Sequence, residues 1–189
     1  MARKEVHAIY GLGGKAIGQG ITALDATMDA LSPFWDCSLW NHGWWEELGK
    51  GLVARQKRYN DKPTIIFIVH SYGCLRAQKI SKNYLLPNGI KVAYIACIDA
   101  TALPLGHSPM TVPFNVAKVD EFWATSGFPA GARQRKPDGS AGGRYVYAPN
   151  WPGVKTLTKV NAAHIACAKK EIVVNTIVRS VKEILRVDQ

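Results

Sequence analysis

Cysteines are few in this chain, acidic residues are outnumbered, and long apolar runs are missing. Each scarcity argues against a class of protein. The four cysteines, Cys37, Cys74, Cys97 and Cys167, are scattered through 189 residues and form no Cys-X-X-Cys pair. That pattern fits free thiols in a reducing compartment better than a disulfide framework. No cluster of His, Cys and Asp has zinc-like spacing, so no metal is expected. No apolar run reaches the length of a membrane span. The opening residues, Met1-Ala2-Arg3-Lys4-Glu5, lack the apolar core and cleavage site of a signal peptide, which points to a cytoplasmic protein. Acidic residues number 14 against 24 Lys and Arg, a net charge of +10. Such a surplus favours anionic partners. The bases are spread out, however, with Lys79/Lys82, Arg133/Arg135/Lys136 and Lys169/Lys170 as the densest groupings. No nucleic-acid-binding motif accompanies them, so a solvated basic surface is the expectation.

What the chain does have is alternation. Val6–Tyr10 reads as a short strand, and Gly18–Leu31 as a helix with Ile21, Leu24, Met28 and Leu31 on one face. Asp36–Asn41 reads as a second strand and Glu46–Tyr59 as a helix ending in cations that suit its dipole. Thr64–Val69 is an apolar, β-branched run bounded by turn residues, the signature of a strand buried on both faces. A helix follows from Tyr72 to about Tyr84, then a strand over Ile90–Ile98 ending at Asp99. Regular strand–helix alternation predicts an α/β fold, a three-layer α/β/α sandwich around a mostly parallel sheet. Residues 101 to about 153 are punctuated by prolines and glycines and read as a loop-rich, lid-like insertion in a single domain spanning 1–189. Asn115–Trp123 is one apolar segment within it that suits a further strand. Val154–Val160 alternates as a last strand. Asn161-Ala162-Ala163-His164 then leads into one long amphipathic helix with Ile165, Ala168, Ile172, Val173, Thr176, Ile177, Val181 and Ile184-Leu185 as its stripe.

The chemistry-bearing stretch is Val69-His70-Ser71-Tyr72-Gly73-Cys74. A serine between a buried strand and a helix sits on a sharp turn. The turn exposes its hydroxyl at the carboxyl end of the sheet and leaves the next backbone N–H free for an oxyanion. This stretch resembles the nucleophile elbow of the α/β-hydrolase family in its His-Ser-X-Gly form. The resemblance extends to Tyr10-Gly11-Leu12-Gly13-Gly14, which is similar to the oxyanion loop His-Gly-X-Gly-Gly of small lipase-like members. A dinucleotide fingerprint would need glycine at position 16, where Ala16 stands, and Lys15 lacks the Ser or Thr of a phosphate loop. No cofactor is therefore expected. The family's elbow has a small residue two places before the serine, where this chain has Val69, and Tyr10 stands where the lipase loop has histidine.

Ser71, Asp99 and His164 occur in the order nucleophile, acid, base, which is the α/β-hydrolase order. The resemblance implies a minimal hydrolase with no large cap domain, with Ser71 as nucleophile, His164 as general base and Asp99 as the acid that orients it. Asp120 and Asp138 are the rival acids, because most members carry the acid after the following strand. By the same analogy Leu12 and Tyr72 donate the oxyanion-hole N–H groups. Trp40 and Trp44 are candidates for contact with substrate. The implied activity is hydrolysis of a small carboxylic ester or thioester through an acyl-enzyme. The alternative is a non-catalytic protein of the same fold that binds an anionic partner through its basic surface.

Overall fold

In strand β3 (Thr64–His70) the residue faces alternate: Ile65, Phe67 and Val69 enter one apolar cluster, Ile66 and Ile68 another. A strand sealed on both faces in this way must lie inside a sheet with helices above and below. The computed structural model describes residues 3–11, 24–33, 37–100, 111–126, 146–147 and 151–186. Six strands form one sheet in the order β2-β1-β3-β4-β6-β8, with every pairing parallel. They are β1 (Lys4–Tyr10), β2 (Cys37–Asn41), β3, β4 (Val92–Ile98), β6 (Lys118–Ala124) and β8 (Val154–Val160). Two short strands, β5 (Thr111–Val112) and β7 (Val146–Tyr147), pair separately. The segment read as loop-rich thus supplies a core strand, β6, which overlaps the apolar stretch Asn115–Trp123. Residues 101–110, 127–145 and 148–150 lie outside the described residues.

One face of the sheet is covered by α2 (Trp45–Tyr59) and α3 (Gly73–Ile80), through Leu48, Leu52, Cys74, Ala77 and Ile80. The other is covered by α1 (Asp25–Leu31) and α5 (Glu171–Leu185), through Leu31, Val173, Ile177, Val181 and Leu185. Each of the Leu, Ile and Val side chains among them contributes about 1.5–3 kcal/mol when fully buried, and the core is built of these two layers. This is the three-layer α/β sandwich, with no large cap among the described residues. No helix among them is long and apolar enough to cross a membrane.

The terminal helix departs from expectation. It is two helices, α4 (His164–Cys167) and α5, separated by Lys170 in extended conformation. The break resets the helical phase. Cys167 and Ala168 are fully buried before it and Val173 after it, while Ile172, expected on the buried stripe, is 57% exposed. An unbroken helix could not bury both sets. The helix after Ser71 also ends early, at Ile80, and a π turn over Ser81–Leu85 completes it.

The strand order reverses between β1 and β3. Crossovers leaving on opposite sides of that point open a crevice at the carboxyl ends of these strands, where ligands of open parallel sheets bind. Gly11 follows β1 there, and Ser71 follows β3.

Candidate active site

Ser71 has φ 58, a left-handed backbone for a residue with a side chain. The conformation costs about 1 kcal/mol or more and persists only where surrounding structure enforces it. Two contacts enforce it. Ser71 N–H donates to Ile98 O at 2.9 Å, tying the turn to the end of β4, and Cys74 N–H donates to Ser71 O at 3.1 Å, starting α3. Gly73 lets the helix begin this close to the sheet, since a Cβ there would fall 2.2 Å from Ile9 O. The tight approach is therefore between α3 and β1. Val69 is buried in the cluster that Cys74, Ala77 and Ile80 of α3 enter, and Cys74 Sγ lies 3.5 Å from Val69 O.

Asp99, directly after β4, also has positive φ, 39. Its N–H donates to Phe122 O at 2.7 Å. Its carboxylate is buried and uses both oxygens: Oδ1 accepts from Ala124 N–H at 3.2 Å and Oδ2 from His164 Nδ1–H at 2.6 Å. A carboxylate only accepts, so the proton lies on Nδ1 and leaves Nε2 of His164 as a base. His164 opens α4 four residues after β8 ends, and is buried.

His70 holds His164 from below. The two rings lie 4.5 Å apart, and His70 Nε2–H donates to His164 O at 3.2 Å. Burial, reinforced by His164 nearby, pushes the His70 pKa down to about 4. The ring is neutral near pH 7 and keeps one N–H for that carbonyl. A native state that refuses a proton which the unfolded chain accepts loses stability as pH falls from the unfolded value near 6.5 toward 4. The wild type is expected to lose about 3 kcal/mol more than His70→Gln between pH 7 and pH 4. Urea unfolding at the two pH values measures the difference, and parallel losses in both proteins would contradict it.

The remaining candidates fall in different places. Asp120 is buried within β6, where it accepts from Tyr94, Ser180 and Thr156 hydroxyls at 2.8, 3.0 and 2.6 Å and lies 3.5 Å from Lys118 Nζ. Its partners reach it from the α5 side of the sheet, and Asp99 is the acid that bonds His164. Asp138 and Leu12 lie outside the described residues. Tyr72 caps α3, and the N–H groups of a first helical turn have no acceptor within the helix. A Cβ on Gly11 would stand 2.7 Å from Tyr72 N and 2.9 Å from Ser71 Oγ. The missing side chain leaves a space at hydrogen-bond distance from that N–H and beside the serine oxygen.

Trp40 packs against the core on the α2 face, and its indole N–H donates to Ser38 Oγ at 2.8 Å. Ser38 in turn faces His7 Nδ1 at 2.5 Å, and His7 Nε2 lies 3.1 Å from Glu5. Glu5 also accepts from Arg3 and Arg55 at 2.6 and 2.7 Å, which spends its charge on ion pairs. Trp44 is 59% exposed beside His42. Sequence reasoning missed the contact of His42 with Tyr72, ring centroids 5.5 Å apart, and the placing of Arg76 over the Tyr72 ring at 4.6 Å. None of the four cysteines is in a disulfide; Cys74, Cys97 and Cys167 are buried, and burial pushes the Cys167 thiol up to about 12. No grouping of metal-binding side chains occurs among the described residues.

Solved structures share this arrangement of strands and helices. The lin2722 gene product of Listeria innocua superposes with a TM-score of 0.59 at 11% identity, covering 99% of this chain and 95% of that one. The type II thioesterase BorB from the borrelidin biosynthetic cluster gives 0.54 at 11% identity, covering 95% and 93%. A protein from Xanthomonas campestris assigned to the hydrolases of the α/β superfamily gives 0.51 at 12% identity, covering 96% and 99%. The chain has the α/β-hydrolase fold. No protein-family model and no curated protein sequence matches it. Within the α/β-hydrolase fold, Ser71, Asp99 and His164 all stand on the rim formed by the carboxyl ends of β3, β4 and β8.

Proposed function

We propose that the protein is a serine hydrolase that cleaves a small carboxylic ester or thioester through an acyl-enzyme. The observation that carries this reading is the buried Asp99–His164 hydrogen bond of 2.6 Å, with the His164 ring packed 4.5 Å from that of His70, the residue before a serine in left-handed conformation. Ser71 Oγ attacks the carbonyl carbon while His164 Nε2 takes the hydroxyl proton. Asp99 fixes the imidazole tautomer and stabilises the imidazolium that forms. The carbonyl oxygen becomes an oxyanion in the space above Gly11, where Tyr72 N–H donates to it; Leu12 N–H is the second donor by analogy with the family's loop. The carbon–oxygen or carbon–sulfur bond breaks as His164 returns the proton to the leaving group. Water then attacks the acyl-serine, His164 takes its proton, and the Ser71–acyl bond breaks to release the acid and restore the hydroxyl. No step draws on a metal or organic cofactor.

A fluorophosphonate probe tests the reading. Labelling is expected at the Ser71 peptide, with none in Ser71→Ala and at least a hundredfold slower labelling in His164→Ala. Peptide mapping separates Ser71 from Ser38, whose hydroxyl faces the His7 ring. A folded protein without labelling at Ser71 would favour the non-catalytic alternative.

A further inference from the structure

Among the described residues, the rim beside Ser71 carries positive charge that forms no ion pair. Arg76 lies one helical turn beyond Tyr72, and its guanidinium stands 4.6 Å from the Tyr72 ring centroid and 5.4 Å from that of Trp45. Lys79 Nζ stands 5.5 Å from the Trp45 ring. His42, in the turn after β2, packs edge-on against Tyr72. Among the described residues neither Arg76 nor Lys79 forms an ion pair. Among the described residues Arg76 Nε and His42 Nδ1 are both shielded from solvent and have no hydrogen-bond partner, while the His42 ring is hydrogen-bonded to the Tyr10 backbone. A shielded guanidinium N–H left without an acceptor is rare in folded proteins and calls for an explanation.

A guanidinium held between two aromatic rings has lost its freedom in advance. Its planar fork of N–H donors matches the oxygens of a carboxylate or phosphate. We propose that Arg76, with Lys79 and His42, is an anion-recognition wall of the active site. The preferred ester or thioester then carries a carboxylate or phosphate on the part of the molecule that lies across Tyr72. This rests on the hydrolase reading and adds the charge of its substrate. Burial and then the Arg76 charge hold the His42 pKa below its usual value, which leaves the positive charge of the wall on Arg76 and Lys79.

Two matched substrate pairs test the wall and locate the anion. Para-nitrophenyl butyrate and para-nitrophenyl hemisuccinate differ by a carboxylate on the acyl side. The S-butyryl thioesters of mercaptoethanol and mercaptoethyl phosphate differ by a phosphate on the leaving side. In one pair kcat/KM is expected to favour the anionic member by about tenfold or more, the usual size of one charge-assisted hydrogen bond. In Arg76→Gln that ratio falls to near one, and Arg76→Lys restores part of it. Lys91→Gln, an exposed lysine on the strand-entry side of the sheet, keeps the wild-type ratio and controls for the loss of one charge from a basic chain. Equal kcat/KM within both wild-type pairs, or equal losses on neutral and anionic members in Arg76→Gln, would overturn the wall and leave the hydrolase reading standing. If no substrate turns over, titration with inorganic phosphate decides the wall separately. Saturable perturbation of the Arg76 side-chain NMR signal in wild type and Ser71→Ala supports it, and an unperturbed signal rejects it.

Discussion

Asp99→Asn is expected to lower kcat by about 10⁴-fold while leaving the protein folded. The reason lies in the donors that surround this side chain. Ala124 N–H points at one oxygen and His164 Nδ1–H at the other. A carboxylate accepts both. An asparagine has one acceptor oxygen and one amide donor, so it can serve only one of them. If its oxygen stays on Ala124, its amide faces His164 Nδ1, which must then accept, and the ring proton moves to Nε2. That nitrogen can no longer receive the proton from Ser71. If the amide rotates instead, it opposes the Ala124 N–H, and a buried donor is left unpaired at a cost of about 1–3 kcal/mol. Either route removes the base or its support. The contrasting change is Asp120→Asn. Asp120 accepts from three hydroxyl groups and lies near Lys118, away from His164. That variant is expected to lose about 1–3 kcal/mol of stability with kcat within twofold of wild type. Steady-state kinetics on an ester, with urea midpoints for both variants, checks the pair. A reversed outcome would move the orienting acid to β6.

The difference between these two aspartates shows where sequence reading reaches its limit. The order Ser71, Asp99, His164 was legible because each residue follows a strand whose pattern is local. Val154–Val160 alternates, and Thr64–Val69 is apolar throughout, as its two buried faces require. Asp99 follows its strand and Asp120 lies inside one, and the local pattern ranks the two without showing what either touches. Their roles differ through partners far along the chain, His164 for one and Tyr94 and Ser180 for the other. The break before α5 was hidden for a related reason. Ala168-Lys169-Lys170-Glu171 has no glycine or proline to stop a helix, and the stop comes from two buried faces with different phases. The wall at Arg76 needs the turn after β2 to meet α3, a contact without any periodic signal. Val69 misled for the opposite reason, because the close approach that demands a small residue occurs at Gly73 against β1.

Gly11→Ala is expected to lower kcat by about 10²–10³-fold with a much smaller change in KM, the range for loss of one oxyanion donor. The added methyl would sit 2.7 Å from both Ser71 Cβ and Tyr72 N and 2.9 Å from Ser71 Oγ. These contacts are closer than carbon tolerates, and two of the three involve parts of the elbow that cannot swing away. The backbone N of Tyr72 is fixed by the start of α3, and Ser71 Cβ by the left-handed turn. The methyl therefore takes the place of the developing oxyanion. The substrate's planar carbonyl can still approach from outside, so ground-state binding suffers less than the tetrahedral state. Overpacking at one point adds about 1–3 kcal/mol of destabilisation. A variant that had merely unfolded would show this as lost protein, without a lowered turnover per folded molecule. Active-site titration with a slow acylating ester, alongside kcat and KM, separates the two. A kcat within threefold of wild type would mean that the oxyanion forms somewhere other than above Gly11, and Tyr72 N–H would lose its role.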